Sequence, residues 1–271
     1  MPLTAYRYPY EQLVLSGTVL LVLILGVIAG GLSHCLVPLF VLGMIMLAYG
    51  MNSSHHRALL QEGVLVSPQK TPRLAGLAND CQARLRPGQV QVIIAPSRQL
   101  NAYTFGLSSP KVIVINSRML DVMDEDELRF VIGHEMGHVA LGHSWLNTLL
   151  GGMAGVPVSL GSALLLTLTF RSWNRSCEYS ADRAGLLACA KPQKAISALV
   201  KLVAGNIGSP AELQQALQMI ERQEETLGSI LSETLSTHPM IIKRIEQIRA
   251  YAATGTYQRL QAQVLQTAAR A

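Results

Sequence analysis

From Gln12 to Tyr49 no Asp, Glu, Lys or Arg interrupts the chain, and the apolar run breaks once, at Gly30-Gly31-Leu32-Ser33-His34. Each half is close to the roughly 17–20 residues that a bilayer-spanning helix needs. The pattern therefore predicts a transmembrane helical hairpin over 12–30 and 35–51, preceded by a short polar tail. A signal peptide fits less well. Its apolar core spans about 7–15 residues and ends at a small-residue cleavage site, whereas this run is longer and a second follows at once. Arg7, Arg57, Lys70 and Arg73 flank the two arms and the turn at 31–34 has no Lys or Arg, which assigns both ends to the cytoplasmic side.

Beyond the hairpin the periodicity changes. Thr71-Pro72 reads as a cap followed by proline at the first helical position, and Leu74, Leu77, Ala78, Cys81 and Leu85 recur at helical spacing. Arg86-Pro87-Gly88 ends that helix. Val90–Ala95, Leu100–Phe105 and Val112–Asn116 read as strands, with a hairpin between the last two at Ser108-Ser109-Pro110. Asp124 and Glu127 form a capping-box pattern at the start of another helix. After Cys189 the pattern is mostly helical, broken at Gly205–Pro210 and Thr237-His238-Pro239. The expected fold is α+β and mainly helical: residues 1–52 form the tail and transmembrane hairpin, and 53–271 a globular domain with a small antiparallel-type sheet.

Composition supports the membrane assignment. Charged residues make up 14%, against roughly 25% in a typical soluble domain. The net charge of +5 comes without any nucleic-acid motif or aromatic-interleaved basic patch, so an anionic lipid surface is the expected partner and nucleic acid is not. The four cysteines have no paired spacing and read as reduced thiols.

The chemistry centres on His134-Glu135-Met136-Gly137-His138. Histidines four apart share one helix face, which brings both imidazoles to one metal. Glu135 lies about 100° round the helix, where it can take a proton from water activated by the metal. Apolar flanks argue against a solvated surface helix, since buried polar groups need partners. His143 is one residue short of an extended three-histidine motif and takes a surface or supporting role. Glu178 is the better third ligand. Asp182, four residues on, can accept the free N–H of a ligating imidazole and fix its tautomer. Ala181, Ala184, Leu186 and Leu187 around them mark a buried face.

Topology constrains the segment between these ligands. Val139 to Phe170 carries no Asp, Glu, Lys or Arg. One bilayer crossing would separate His138 from Glu178, and two need roughly 40 residues. The segment 145–170 is therefore expected to be a bent apolar hairpin turning near Gly151–Pro157, dipping into one leaflet or packing as part of the core.

Asn101-Ala102-Tyr103, Ser109-Pro110-Lys111, His134–His138, Glu178–Asp182 and Thr237-His238-Pro239 followed by Arg244 together resemble the HtpX-type membrane metalloproteases, relatives of the CAAX prenyl endopeptidases and OMA-type proteases in the gluzincin class. The resemblance covers about residues 70–260. It implies one Zn2+ per chain on His134, His138 and Glu178, with Glu135 as general base. It also implies that His238 and Arg244 support the tetrahedral intermediate and that Asn101, Ala102 and Tyr103 form a substrate-binding edge. The segment between the zinc motif and Glu178 is too short for the two full membrane helices usual in such enzymes. That argues against prenyl-protein processing.

The expected function is membrane-anchored zinc endopeptidase activity on membrane or misfolded proteins, at the cell inner or plasma membrane with the catalytic domain cytoplasmic. A non-catalytic zinc-stabilised scaffold or chaperone would need the ligands but not Glu135. A metal sensor or transporter would need ligands inside the spans, where only His34 lies.

Overall fold

The computed structural model describes residues 5–32, 43, 46, 49–50, 53–54, 56–106, 109–144, 162–205, 207, 209–226 and 239–268. Alternation along one strand locates the core. In β4 (Lys111–Asn116), Ile113 and Ile115 join the main helical core while Val112 and Val114 face a smaller cluster with Leu59, Ile93 and Phe105. All four are essentially inaccessible, so β4 is buried on both faces and takes a central place in the sheet.

The sheet order is β1-β2-β4-β3, with β1 Val64–Leu65, β2 Val90–Ala95 and β3 Ala102–Phe105. β3 and β4 pair antiparallel from Ala102 opposite Ile115 to Phe105 opposite Val112, as the predicted hairpin requires. β2 and β4 are parallel, so the sheet is mixed rather than antiparallel-type. The physical reason is burial. The hairpin returns its most apolar strand to the middle of the sheet, beside β2, and leaves the half-buried β3 at the edge.

Nine helices carry most of the rest of the described chain: α1 Glu11–Leu32, α2 Pro72–Leu85, α3 Arg118–Val122, α4 Glu125–Ala140, α5 Ser162–Cys189, α6 Pro192–Ala204, α7 Pro210–Thr226, α8 Pro239–Ala252 and α9 Gly255–Ala268. Arg86 at φ 50° ends α2. Thr71 does not cap α2 with its side chain; its hydroxyl instead bonds the Ser67 backbone, accepting from N–H at 3.1 Å and donating to C=O at 3.3 Å. The Asp124–Glu127 capping box at the start of α4 is complete. Glu127 is buried there, and Lys201 (2.8 Å) and Ser197 (2.6 Å) of α6 both donate to its carboxylate.

The helix pair α4–α5 sets the site. Gly133 and Gly137 face α5, where a Cβ on Gly133 would lie 2.4 Å from the Ala188 Cβ and one on Gly137 2.6 Å from the Ala184 Cβ. Gly185 returns the contact, its missing Cβ lying 2.7 Å from the Phe130 carbonyl. Small residues on both surfaces bring the helix axes together.

The polar tail before α1 is not free. Tyr6 is fully buried in the main core. The Tyr8 N–H donates to Ser180 Oγ at 2.8 Å, and Arg183 donates to the Arg7 carbonyl at 3.2 Å while stacking on Tyr8 and Tyr251. Farther along α1, Leu13, Val19, Leu20, Leu23, Ile24 and Val27 are exposed. Among the described residues no helix is long and apolar enough to cross a membrane. α1 runs on through Gly31 and Leu32 of the expected turn, and Ser33, His34 and most of the second arm, with Cys35, lie outside the described residues. So does the expected turn near Gly151–Pro157. Cys81, Cys177 and Cys189 are buried free thiols.

The glycine contact predicts opposite outcomes at two helical positions. Gly137→Ala is expected to lower stability by about 1–3 kcal/mol through overpacking. Gly76→Ala on α2, where a Cβ meets nothing within 4 Å, is expected to raise it by about 0.4–1 kcal/mol. Denaturant titration of the two variants checks the sign of each.

Candidate metal centre

His134 and His138 leave one face of α4 a single turn apart, and their Nε2 atoms are 3.2 Å from each other. Glu178 approaches from α5, with Oε2 3.5 Å from His134 Nε2 and Oε1 3.4 Å from His138 Nε2. A tetrahedral zinc ion with ligand bonds of about 2.0–2.1 Å needs its donors about 3.3–3.4 Å apart. The two Nε2 atoms come close to that separation, one Glu178 oxygen faces each of them, and one donor atom of each residue lies within 4.8 Å of the others; two imidazoles with one carboxylate are a ligand set zinc accepts.

The far side of each imidazole is held as well. His134 Nδ1 is 2.9 Å from Asp182 Oδ1. His138 Nδ1 is 3.0 Å from His143 Nδ1, and His143 Nε2 is 3.1 Å from Glu11 Oε1. His143 is buried, which excludes the surface role and leaves the supporting one. Burial pulls its pKa down despite Glu11.

Arg244 lies behind the ligands. Its guanidinium makes two bonds to Asp182 (2.8 and 2.6 Å) and reaches Glu178 Oε2 at 3.0 Å. Burial alone would raise both carboxyl pKa values. Arg244 and the imidazoles outweigh it, holding Glu178 well below the usual carboxylate range and Asp182 below its ordinary value. Burial likewise opposes a charge on His134, but Asp182 and Glu178 prevail and carry its pKa up to about 10. The cluster favours a cation between these groups, as a proton or as a metal.

Glu135 is buried beside the histidines, and Thr104 Oγ donates to its Oε2 at 2.6 Å. Thr104 belongs to the edge strand β3, so sheet and helix meet at this carboxylate. A cavity of about 410 Å³ is lined by Asn101–Thr104 on one side and by His134, Glu135, His138, Glu178 and Arg244 on the other. His238 lies outside the described residues.

Sequence reasoning missed Thr104, Glu11, Arg7 and Ser180. Strand alternation marked Thr104 as one of two faces without saying which met the helix. Glu11 showed only as the last charge before an apolar run, with nothing in its spacing to connect it to His143.

The chain matches peptidase family M48 over residues 68–252. It is 29% identical to the plastoglobule-localized metallopeptidase 48 of Arabidopsis thaliana over 213 residues, which is 73% of this chain and 62% of that protein, less than two thirds of its length. It is 27% identical to a protease HtpX homolog of Ralstonia nicotianae, covering 89% of this chain and 94% of that one. A protease HtpX homolog of Aquifex aeolicus is 24% identical over 84% of this chain and 87% of its own.

The pKa shifts fix the sign of two pH effects. The raised His134 pKa contributes stability that is fully present below the unfolded value of about 6.5 and lost as pH rises through about 10. The depressed Glu178 and Asp182 act oppositely, their contribution being lost as pH falls below about 4. Zinc must displace the His134 proton, so adding zinc at pH 7 is expected to release about one proton per chain. Calorimetry in buffers of different ionisation enthalpy measures it, and zero release would mean that His134 is neutral before the metal arrives.

Proposed function

The chain belongs to peptidase family M48 and is a metallopeptidase, and from that premise we propose that it is a membrane-anchored zinc endopeptidase that cleaves membrane or misfolded proteins. The observation that carries this reading is the juxtaposition of the His134, His138 and Glu178 donor atoms, a buried Glu135 carboxylate and the strand β3 around one cavity.

In this reading His134, His138 and Glu178 hold one zinc ion. When bound, the ion supplies Lewis acidity and lowers the pKa of water toward about 7. Glu135 is the general base: it takes a proton from the attacking water and returns it to the leaving amine. Thr104 aims that carboxylate by donating to Oε2, which leaves Oε1 free to receive the proton. Asp182 holds His134 in the ligating tautomer and Arg244 balances the charge of Asp182 and Glu178. Asn101, Ala102 and Tyr103 line the cavity on β3, the outermost strand of the described sheet, and hold an extended peptide by main-chain pairing, which tolerates varied sequences. His238 donates to the oxyanion of the tetrahedral intermediate, the kind of contact worth several kcal/mol.

The exposed apolar side chains of α1 support the membrane anchor, since a row of this kind facing water is costly. The chain is expected to stay in the membrane fraction through an alkaline carbonate wash, and its release into the supernatant would remove the anchor.

The catalytic assignment is tested with purified full-length protein and unfolded casein. Glu135→Gln should keep about one zinc per chain and lose cleavage by at least about 10²–10⁴-fold. Thr104→Val should lower kcat by roughly ten- to a hundredfold, the share of one hydrogen bond to a charged group, with KM little changed. If Glu135→Gln leaves every activity of the protein unchanged while both forms bind zinc, the site is a zinc-stabilised scaffold instead.

A further inference from the structure

A carboxylate at the first residue of α1 lies at the end of a chain of hydrogen bonds to a metal-binding histidine. Glu11 and His143 are 132 residues apart in sequence, and both are buried. Glu11 is held from three sides: Arg7 and His143 contact Oε1, and Ser180 donates to Oε2. An ionised carboxylate only accepts hydrogen bonds. His143 must therefore carry a proton on Nε2, facing Glu11, and in the neutral ring that leaves Nδ1 as a lone pair. Among the described residues the partner of that lone pair is His138 Nδ1 at 3.0 Å, so His138 in turn carries its proton on Nδ1. The Nε2 of His138, which faces His134 and Glu178, is then the free lone pair that a metal needs. The opposite arrangement would point an imidazole lone pair at the Glu11 carboxylate and an N–H at the metal position.

We propose that Glu11 and His143 are positioning residues of the metal centre, which select the ligating tautomer of His138 and make metal retention depend on the docked N-terminal segment. The inference rests on the metal assignment of the preceding section. His134 has its acceptor, Asp182, on the same helix as Glu178. His138 has its acceptor through a segment at the other end of the chain. That segment is tied down by Tyr6 in the core and by bonds from Ser180 and Arg183 of α5. Lifting residues 6–11 off α5 withdraws the carboxylate and lets His143 and His138 take either tautomer. The helix proposed as the anchor begins at this carboxylate, so its seating is coupled to the metal.

Glu11, His143 and Cys177 could themselves surround a cation, since one donor atom of each lies within 4.8 Å of the others. The Glu11 oxygens are already occupied by Arg7, His143 and Ser180, which favours the hydrogen-bonded relay.

The test is the zinc stoichiometry and dissociation constant of the full-length protein in detergent, by competition with a chromogenic chelator, with melting of each metal-free variant as a check on folding. His143→Leu should weaken zinc binding about 10–100-fold. His143→Asn, whose side-chain oxygen can accept the His138 N–H, should recover most of that loss. Glu11→Gln, which can present either a donor or an acceptor, should weaken binding less, about threefold to tenfold, below the roughly 10–100-fold cost of losing an outer contact outright. Equal zinc affinity in wild type and His143→Leu overturns the proposal, as does equal weakening in the Leu and Asn variants. If His143→Leu does not fold, unchanged affinity in Glu11→Gln overturns it. Two zinc ions in wild type, with one lost in His143→Leu, would make the cluster a second metal site and also overturn it. A wild type that binds no zinc defeats the metal assignment itself, whereas unchanged variants beside a zinc-binding wild type defeat only the relay.

Discussion

Charge balance inside a largely buried site is the constraint on which the rest of this structure depends. Glu135, Glu178 and Asp182 are gathered beside two imidazoles, with Arg244 as the guanidinium among them. Three formal negative charges against one positive would be costly to bury alone. A divalent cation between His134, His138 and Glu178 brings the formal sum to neutrality. The same electrostatics raise the His134 pKa and hold Arg244 against both Asp182 and Glu178.

Bringing that charge together is a packing problem. Glu178 lies on a different helix from the histidines, and a carboxylate side chain is short. It reaches the two Nε2 atoms because Gly133, Gly137 and Gly185 let α4 and α5 approach with backbone nearly touching Cβ atoms. The glycines within and beside the metal motif thus serve the ligands indirectly, through the distance between helix axes. The sheet contributes in a similar way. Burial of β4 on both faces places β3 at the edge, and the edge brings Thr104 to the Glu135 carboxylate.

Each imidazole is oriented from behind by a different part of the chain. Asp182 serves His134 from α5, and His143 with Glu11 serves His138 from the end of α4 and the start of α1. A segment that reads as a polar tail is therefore built into the catalytic body, with Tyr6 in its core. A domain boundary drawn at residue 52 follows the hydropathy pattern but not the packing around residues 6–11.

Local rules made much of this legible without coordinates. The capping box fixed the start of α4, the four-residue spacing put His134 and His138 on one face, and alternation located all three longer strands within a residue or two. The same spacing put Glu178 and Asp182 on one face of a helix, whereas their meeting with the histidines of α4 was an expectation from the family resemblance. Contacts between distant segments were not legible, because hydrogen-bonding capacity at one position says nothing about which remote position will meet it. The parallel pairing of β2 and β4, the bond from Thr104 to Glu135 and the seat of Glu11 against His143 are all of that kind. By itself the sequence determined which residues could bind a metal and share a helix face, because those are properties of neighbours along the chain. Tertiary structure alone decided how closely the helices approach and which buried groups orient the ligands, because those depend on packing volume and charge summed over the whole fold.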